Sequence, residues 1–486
     1  MSRLLARSIV FFASASVLVI EILAARILAP YVGVSLETFT GIIGVILAGI
    51  SVGAWLGGRA ADQRNPRSLV GPLLVAGGLA ALAAPQIVDV IGPRLATGPI
   101  SIVLAATFGF FAPAALLSAV PPIVVKIRLS SLDQTGSVVG SYSAIGTAGA
   151  IFGTFLTGFF LIAAFPTRPI VAVLGVALTL SGLGLWVAGR QRQILPVLPV
   201  LAVLVGLGSL LLLFEGPCDY ETTYHCVVVE TDESRPSGRT LVLDRIRNSY
   251  VDLDDPTYLD FRYIRLMADI INTESPQGSL QVVSIGGGGF TLPGYVHATR
   301  PGSSNVVLEI DGPLVEIGMT ELALTDDTEV IVEDARMSLR GIADHSADVV
   351  IGDAFSGASV PWHLTTVEFN REIRRVLTPS GVYAMNVIDY GSRVFARSAA
   401  ATLEEVFGHV ALFAPDSYID GSGGGNYVLV GSESPIDVAA IGQAIRSRDG
   451  IERGLAGNQL ATFIDGAELL VDDFAPVDQM VGSPSG

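Results

Sequence analysis

Between Val282 and Asp311 an apolar strand (Val282, Val283, Ile285) runs into four consecutive glycines, Gly286 to Gly289, and a second strand, Val306 to Ile310, ends on acids. Twenty-three residues separate Gly286 from Glu309, the spacing at which a strand-loop-helix-strand unit sets a carboxylate beside a nucleoside ribose. Asp334 and Asp353 each closely follow a further predicted strand. Taken singly, a glycine run is an ordinary turn and an acid after a strand is an ordinary helix cap. Four such positions in register favour a nucleoside ligand, with Glu309 on the ribose hydroxyls and Asp334 with Ala335 at the adenine edge. The run lacks the lysine-serine ending of a phosphate-binding loop, which disfavours a nucleoside triphosphate.

The elements that must position these residues alternate. Strands are expected at 280–285, 305–310, 328–332, 347–352 and 381–387, and helices at about 290–298, 313–322, 335–341 and 364–377. Such alternation with continuously apolar strands predicts a doubly wound parallel sheet, whose ligands sit at the carboxyl ends of the strands. Ahead of it lie apparent strands at Val227–Glu230 and Thr240–Leu243 and a helix over Tyr258–Ile271 with Tyr263, Leu266, Met267, Ile270 and Ile271 on its apolar face. Behind it the pattern predicts a helix over Phe395–Phe407, strands at Val410–Phe413 and Tyr427–Val430 around the turn Gly421–Gly425, helices at 436–447 and 457–464, and a Pro, Gly and Ser tail.

All of this follows a half of different character. Through Phe214 there are 12 basic residues against 5 acids, a net of +7, whereas the remaining 17 arginines face 41 acids, a net of −24. An acidic domain of this kind repels phosphate, so nucleic acid is not an expected partner. Apolar segments of membrane-spanning length occur near 8–29, 36–56, 68–92, 97–120, 138–164, 168–189 and 194–214, predicting seven spans in a lipid bilayer. Basic residues fall in alternate loops (Arg3 and Arg7; Arg59, Arg64 and Arg67; Lys126 and Arg128; Arg190 and Arg192), which predicts a cytoplasmic N-terminus and, after an odd number of spans, an extracytoplasmic C-terminal domain. Glu21 and Arg26 in or near the first span call for partners, and the small residues of Gly140–Gly158 for close helix packing. Cys218 and Cys226 are the only cysteines, with seven residues between them, and suit a short disulfide loop; free thiols or, with His225, a partial metal site are the alternatives. No metal is expected.

Two resemblances accompany these readings. Gly57-Gly-Arg-Ala-Ala-Asp-Gln-Arg64, followed by Arg67, is similar to the loop after the second helix of major facilitator transporters. Val283-Ser-Ile-Gly-Gly-Gly-Gly289, Leu308-Glu-Ile-Asp311, Val332-Glu-Asp-Ala-Arg336, Asp348-Val-Val-Ile-Gly-Asp353, His363-Leu-Thr-Thr-Val-Glu-Phe369 and Leu377-Thr-Pro-Ser-Gly381 occur in the order seen in spermidine synthases. The match spans about residues 220–430, and the whole chain resembles the membrane-fused branch of spermidine-synthase-like proteins. It implies a multi-pass helical membrane domain over 1–214, a small N-terminal β region and lead-in helix over 215–279, a class I S-adenosylmethionine-dependent methyltransferase-like domain over 280–435, and a helical C-terminal segment over 436–486.

The implied reaction is aminopropyl transfer from decarboxylated S-adenosylmethionine, or transfer from S-adenosylmethionine itself, to a polyamine or other small cationic amine; a homodimer is a further expectation. Gly286, Gly287, Gly288, Glu309, Asp311, Asp334 and Ala335 would bind the donor, and Asn248, where the family tends to have glutamine, and Tyr258 the acceptor. Two carboxylates of the family pattern are replaced. The one that holds the aminopropyl amine falls at Gly289, and the one that serves the attacking amine falls at Ser356. Asp353 is the remaining catalytic candidate, with Asp311, Asp244 or Asp254 as substitutes and His297, His345 and His363 the nearest histidines. These departures leave room for a noncatalytic nucleoside- or polyamine-sensing domain on a transporter-like body, or for methyl transfer.

Overall fold

Ser2 opens the first helix, its side chain accepting from the Leu5 N–H, and the helix runs from Arg3 to Val32 before Gly33, at φ +75°, breaks it. The computed structural model describes every residue except 96–97, 130, 132–133, 190–196, 214–215, 323, 356, 358 and 483–486. It divides into two compact units, Met1–Val227 and Val228–Gly486.

In the first unit, six described helices are long and apolar enough to cross a membrane: Arg3–Val32, Leu36–Gln63, Pro66–Arg94, Pro99–Arg128, Thr135–Ala164 and Thr167–Ala188. The seventh expected span forms a shorter helix of 17 residues, Val197–Leu213, and 194–196 and 214 lie outside the described residues. Gly57 to Gln63 are the last turns of the second helix, so the transporter-like motif is mostly helical and only Arg64 and Asn65 turn the chain. Helices meet where side chains are missing. A Cβ at Gly149 or Gly153 would stand 3.0 Å from the Cα of Phe11 or Ala15 in the first helix, so these two glycines of the small-residue stripe permit backbone contact. Gly140 and Gly158 have no such neighbour.

Some charges in this unit have partners, although none is seen for Glu21 among the described residues. Asp89 binds Arg168 at 2.6 Å and accepts from the Tyr31 hydroxyl at 2.9 Å. Arg26 reaches a polar loop, where it donates to the carbonyls of Thr222 and, at 2.9 Å, Thr223. That loop is closed by a disulfide between Cys218 and Cys226 and carries a two-residue strand, β1 (Tyr220–Glu221), paired antiparallel with the start of β2 (Cys226–Asp232).

In the second unit β2 continues into a small antiparallel sheet with β3 (Arg235–Leu243) and β4 (Ile246–Asp252). Sequence patterning misses β4 because its first residues, Ile246-Arg-Asn-Ser, do not alternate. The helix Arg262–Glu274 leads into the main sheet. Its strands are β5 (Gln281–Ile285), β6 (Ser304–Glu309), β7 (Glu329–Val332), β8 (Ala347–Gly352), β9 (Leu377–Tyr390), β10 (His409–Pro415), β11 (Gly424–Ser432) and β12 (Glu452–Ala456).

Their order is β12-β10-β11-β9-β8-β5-β6-β7 among the described residues. The run β9-β8-β5-β6-β7 is parallel, but β11 pairs antiparallel with both β9 and β10, and β12 antiparallel with β10, so the expected parallel sheet is a mixed one. Residues 416–423 are too short a link between β10 and β11 for a parallel crossover, so these two strands run antiparallel. Helices on both faces complete the layers: Leu266, Met267, Ile270 and Ile271 pack under one face, and Phe369, Ile373, Phe395 and Leu403 under the other. The residues after 465 are more than a tail. Leu470 donates its N–H to Thr402, and Asp472 forms a two-pronged pair with Arg336 at 2.8 and 2.5 Å.

Candidate active site

β5 pairs with β6 on one side and β8 on the other, so successive connections leave β5 in opposite directions and their loops part above it. A crevice opens at such a switch point. Gly286, at φ +89°, turns the chain out of β5, and a Cβ there would lie 2.7 Å from the Asp353 carbonyl at the end of β8. Only glycine suits both the dihedral and the gap. The turn is pinned from beneath by Phe290, itself left-handed at φ +57° and buried against Val307, Val315 and Leu324.

A cavity of about 500 Å³ lies over the carboxyl edge of the sheet. Gly286 to Gly289, Asn248 and Ser249 wall one part of it, and Tyr263, Asp353, Asn386, Asn426 and Glu452 another. Asp353 is at its centre chemically. The Asn386 amide donates to Oδ1 at 2.9 Å, the Tyr263 hydroxyl to Oδ2 at 3.2 Å, and Asn426 supports Asn386 at 3.0 Å. Desolvation pushes the Asp353 carboxyl up to about 6, with the Asn386 and Tyr263 hydrogen bonds restraining the rise. Burial likewise holds the Tyr263 phenol well above its ordinary value, so it remains a donor. A buried carboxylate with a raised pKa, held by neutral donors in a cleft, is suited to taking a proton near neutral pH. At the mouth, Arg247 is engaged by Asp260 at 2.9 Å and lies over the Phe261 ring.

The other expected donor residues are not among those lining the cavity. Glu309 is buried on the far side of the glycine loop, its Oε2 accepting from the Gly287 N–H at 2.7 Å and its Oε1 from the Asp311 N–H at 2.9 Å. Asp311 is buried at the start of the helix Gly312–Glu321. Asp334 caps Arg336 and binds His363 Nε2 at 2.8 Å, with Ala335 buried behind it. These groups follow β6 and β7, while the cavity extends from the loop after β5 over the ends of β8 to β12.

Asn248 lines the cavity, but Tyr258 does not: its ring lies tilted against Tyr250 and under Arg235. Tyr263 is the tyrosine that reaches the carboxylate. In the sequence it reads as one more residue on an apolar helix face, and only the fold turns its hydroxyl to Asp353. Asn386 carries a fainter signal, a lone amide inside the apolar strand Val382-Tyr-Ala-Met-Asn-Val387. Gly289 has no space for a side chain, because Ser249 fills it. Ser356 lies outside the described residues. No group of acids, histidines or cysteines among the described residues could hold a metal ion.

No family model matches the chain. It is 29% identical over 153 residues to a polyamine aminopropyltransferase of Vibrio vulnificus, covering 30% of this chain and 50% of that protein. To a polyamine aminopropyltransferase of Chromobacterium violaceum it is 28% identical over 141 residues, covering 28% and 53%. The chain thus spans about half the length of the curated relatives it matches. Among solved structures, it is similar to a probable spermidine synthase from Corynebacterium glutamicum, with 28% identity and a TM-score of 0.49 over 53% of this chain and 97% of that one. Over its C-terminal portion, this chain is homologous to polyamine aminopropyltransferases.

Proposed function

We propose that the second unit is a transferase that moves an alkyl group, in the first instance aminopropyl, from an S-adenosyl sulfonium donor to the nitrogen of a cationic amine. The observation that carries this reading is Asp353, a desolvated carboxylate at the switch point with Tyr263 and Asn386 on its oxygens. In the step, the amine nitrogen attacks the carbon next to sulfur, the C–N bond forms as the C–S bond breaks, and the thioether leaves. Asp353 accepts the proton the nitrogen gives up. The glycine loop, braced by Glu309, holds the nucleoside, and Asn248 faces the transferred chain. The helical half, with Val197–Leu213 as a seventh span, anchors the enzyme in the bilayer. The disulfide on the 218–226 loop supports an extracytoplasmic placement of the second unit, since disulfides persist in oxidising compartments.

A second reading draws on Gly289. With Ser249 in the place of the family's donor-amine carboxylate, the domain would bind a nucleoside or polyamine without transferring a group, or would transfer methyl instead. Incubation of the purified full chain in detergent with each donor and a set of amines separates the readings. Methylthioadenosine as product identifies aminopropyl transfer, S-adenosylhomocysteine identifies methyl transfer, and binding without either product identifies a sensor.

A further inference from the structure

Strand β12, at the edge of the main sheet, brings a second carboxylate to the cavity. β10 is parallel to β9, so its last residue, Pro415, lies at the same sheet edge as Asp353; β12 runs antiparallel to β10 and begins there, with Glu452 paired to Pro415. Glu452 lines the cavity that Asp353 lines. Its Oε2 is buried and has no hydrogen-bond partner among the described residues. A desolvated carboxylate oxygen without a donor is costly and calls for a cation. The charged groups beside it are Arg448 and Asp269: the Arg448 Nε is committed to Asp269 at 2.6 Å, while the Arg448 Nη2 is buried and, like Glu452 Oε2, has no hydrogen-bond partner among the described residues. Tyr418 and Asn426, which also line this end, add polar and aromatic surface suited to an alkylammonium.

β8, β9, β11, β10 and β12 are successive neighbours, so four strand spacings, roughly 19 Å, separate the two carboxylates along the edge. A short diamine cannot reach from one to the other. We propose that Asp353 and Glu452 engage opposite ends of one elongated polyamine, so that the acceptor is a triamine or tetraamine whose far ammonium is bound by Glu452. This rests on the transferase reading. The near nitrogen is alkylated by the sulfonium donor and gives its proton to Asp353, while the far ammonium keeps its protons and serves only to position the chain.

The test compares spermidine and spermine with putrescine as acceptors for the full-length protein in detergent, scoring thioether release. The wild type is expected to favour a longer amine over putrescine at least tenfold in kcat/KM. Glu452→Gln is expected to collapse that ratio toward one, through KM rather than kcat, and Glu452→Asp to restore part of it. Equal use of short and long amines, or a Glu452→Gln variant that loses thermal stability while the ratio stays unchanged, overturns the proposal and makes Glu452 a structural neighbour of Arg448. Turnover without amine discrimination defeats this inference alone. Failure to bind any donor defeats the transferase reading with it.

Discussion

Ser249 occupies the volume that a side chain at Gly289 would need: a Cβ built at Gly289 collides with the Ser249 hydroxyl and stands 3.0 Å from its Cβ. The glycine is therefore part of a packed contact between the loop after β5 and strand β4. Gly289→Asp is expected to destabilise the protein by about 1–3 kcal/mol, as overpacking does, and not to improve use of a decarboxylated donor. Gly289→Asp with Ser249→Gly should recover most of the melting temperature. Thermal unfolding of the two variants beside the wild type checks this.

Asp353 predicts a pH profile. Its carboxyl is raised to about 6 by desolvation, and proton acceptance needs the ionised form, so kcat/KM should climb as pH rises through about 6. The same shift acts on stability with the opposite sign. The folded state holds the proton to higher pH than the unfolded chain, so this group's contribution to stability falls between the ordinary aspartate range and about pH 6. Asp353→Asn should remove both the kinetic step and that slope, and lower kcat by about 10²–10⁴. Steady-state rates and urea melts between pH 4.5 and 8 measure them.

Tyr263→Phe removes the hydroxyl that donates to Asp353 Oδ2. The apparent pKa of the pH–rate profile should move further up, because one of the two restraints on the carboxyl is lost. Tyr258→Phe, outside the cavity, should leave the profile where it is. A profile that moves equally in both variants would place the active carboxylate elsewhere.

How much of this was legible in the sequence differs from element to element. The parallel core β5 to β9 was legible because each strand carries a short, largely apolar run, in β9 the segment Val382–Val387, close to glycines or acids. β12 was not, since Glu452-Arg-Gly-Leu-Ala456 has one large apolar side chain and is ordered by pairing with β10, a contact from far along the chain. The glycines and Asp353 were placed at one edge by counting strands. Sequence could not reveal that Glu309 and Asp334 follow strands on one side of β5 and the cavity extends on the other, because that depends on the order of strands in the sheet. Tyr263 and Glu452 lie on elements whose pattern speaks only of burial.

Loss of the Cys218–Cys226 bond has a local consequence. Arg26 binds carbonyls of the loop that this bond closes. Cys218→Ser with Cys226→Ser is expected to lower the stability of the first unit by about 2–3 kcal/mol, the loop-closure value for so short a ring. An impermeant thiol reagent should label these cysteines on intact cells only after reduction. Labelling confined to lysed cells would place the loop, and the unit that follows it, in the cytoplasm.

The proposal that the cavity beside Asp353 carries out group transfer from an S-adenosyl donor has one decisive check. It is tested most directly by chromatographic detection of methylthioadenosine after incubating the full-length protein with decarboxylated S-adenosylmethionine and a mixed polyamine pool. Amine-dependent release is expected, and Asp353→Asn should lower it by about a hundredfold or more. Absence of release, together with no calorimetric binding of either donor or of methylthioadenosine, would contradict it.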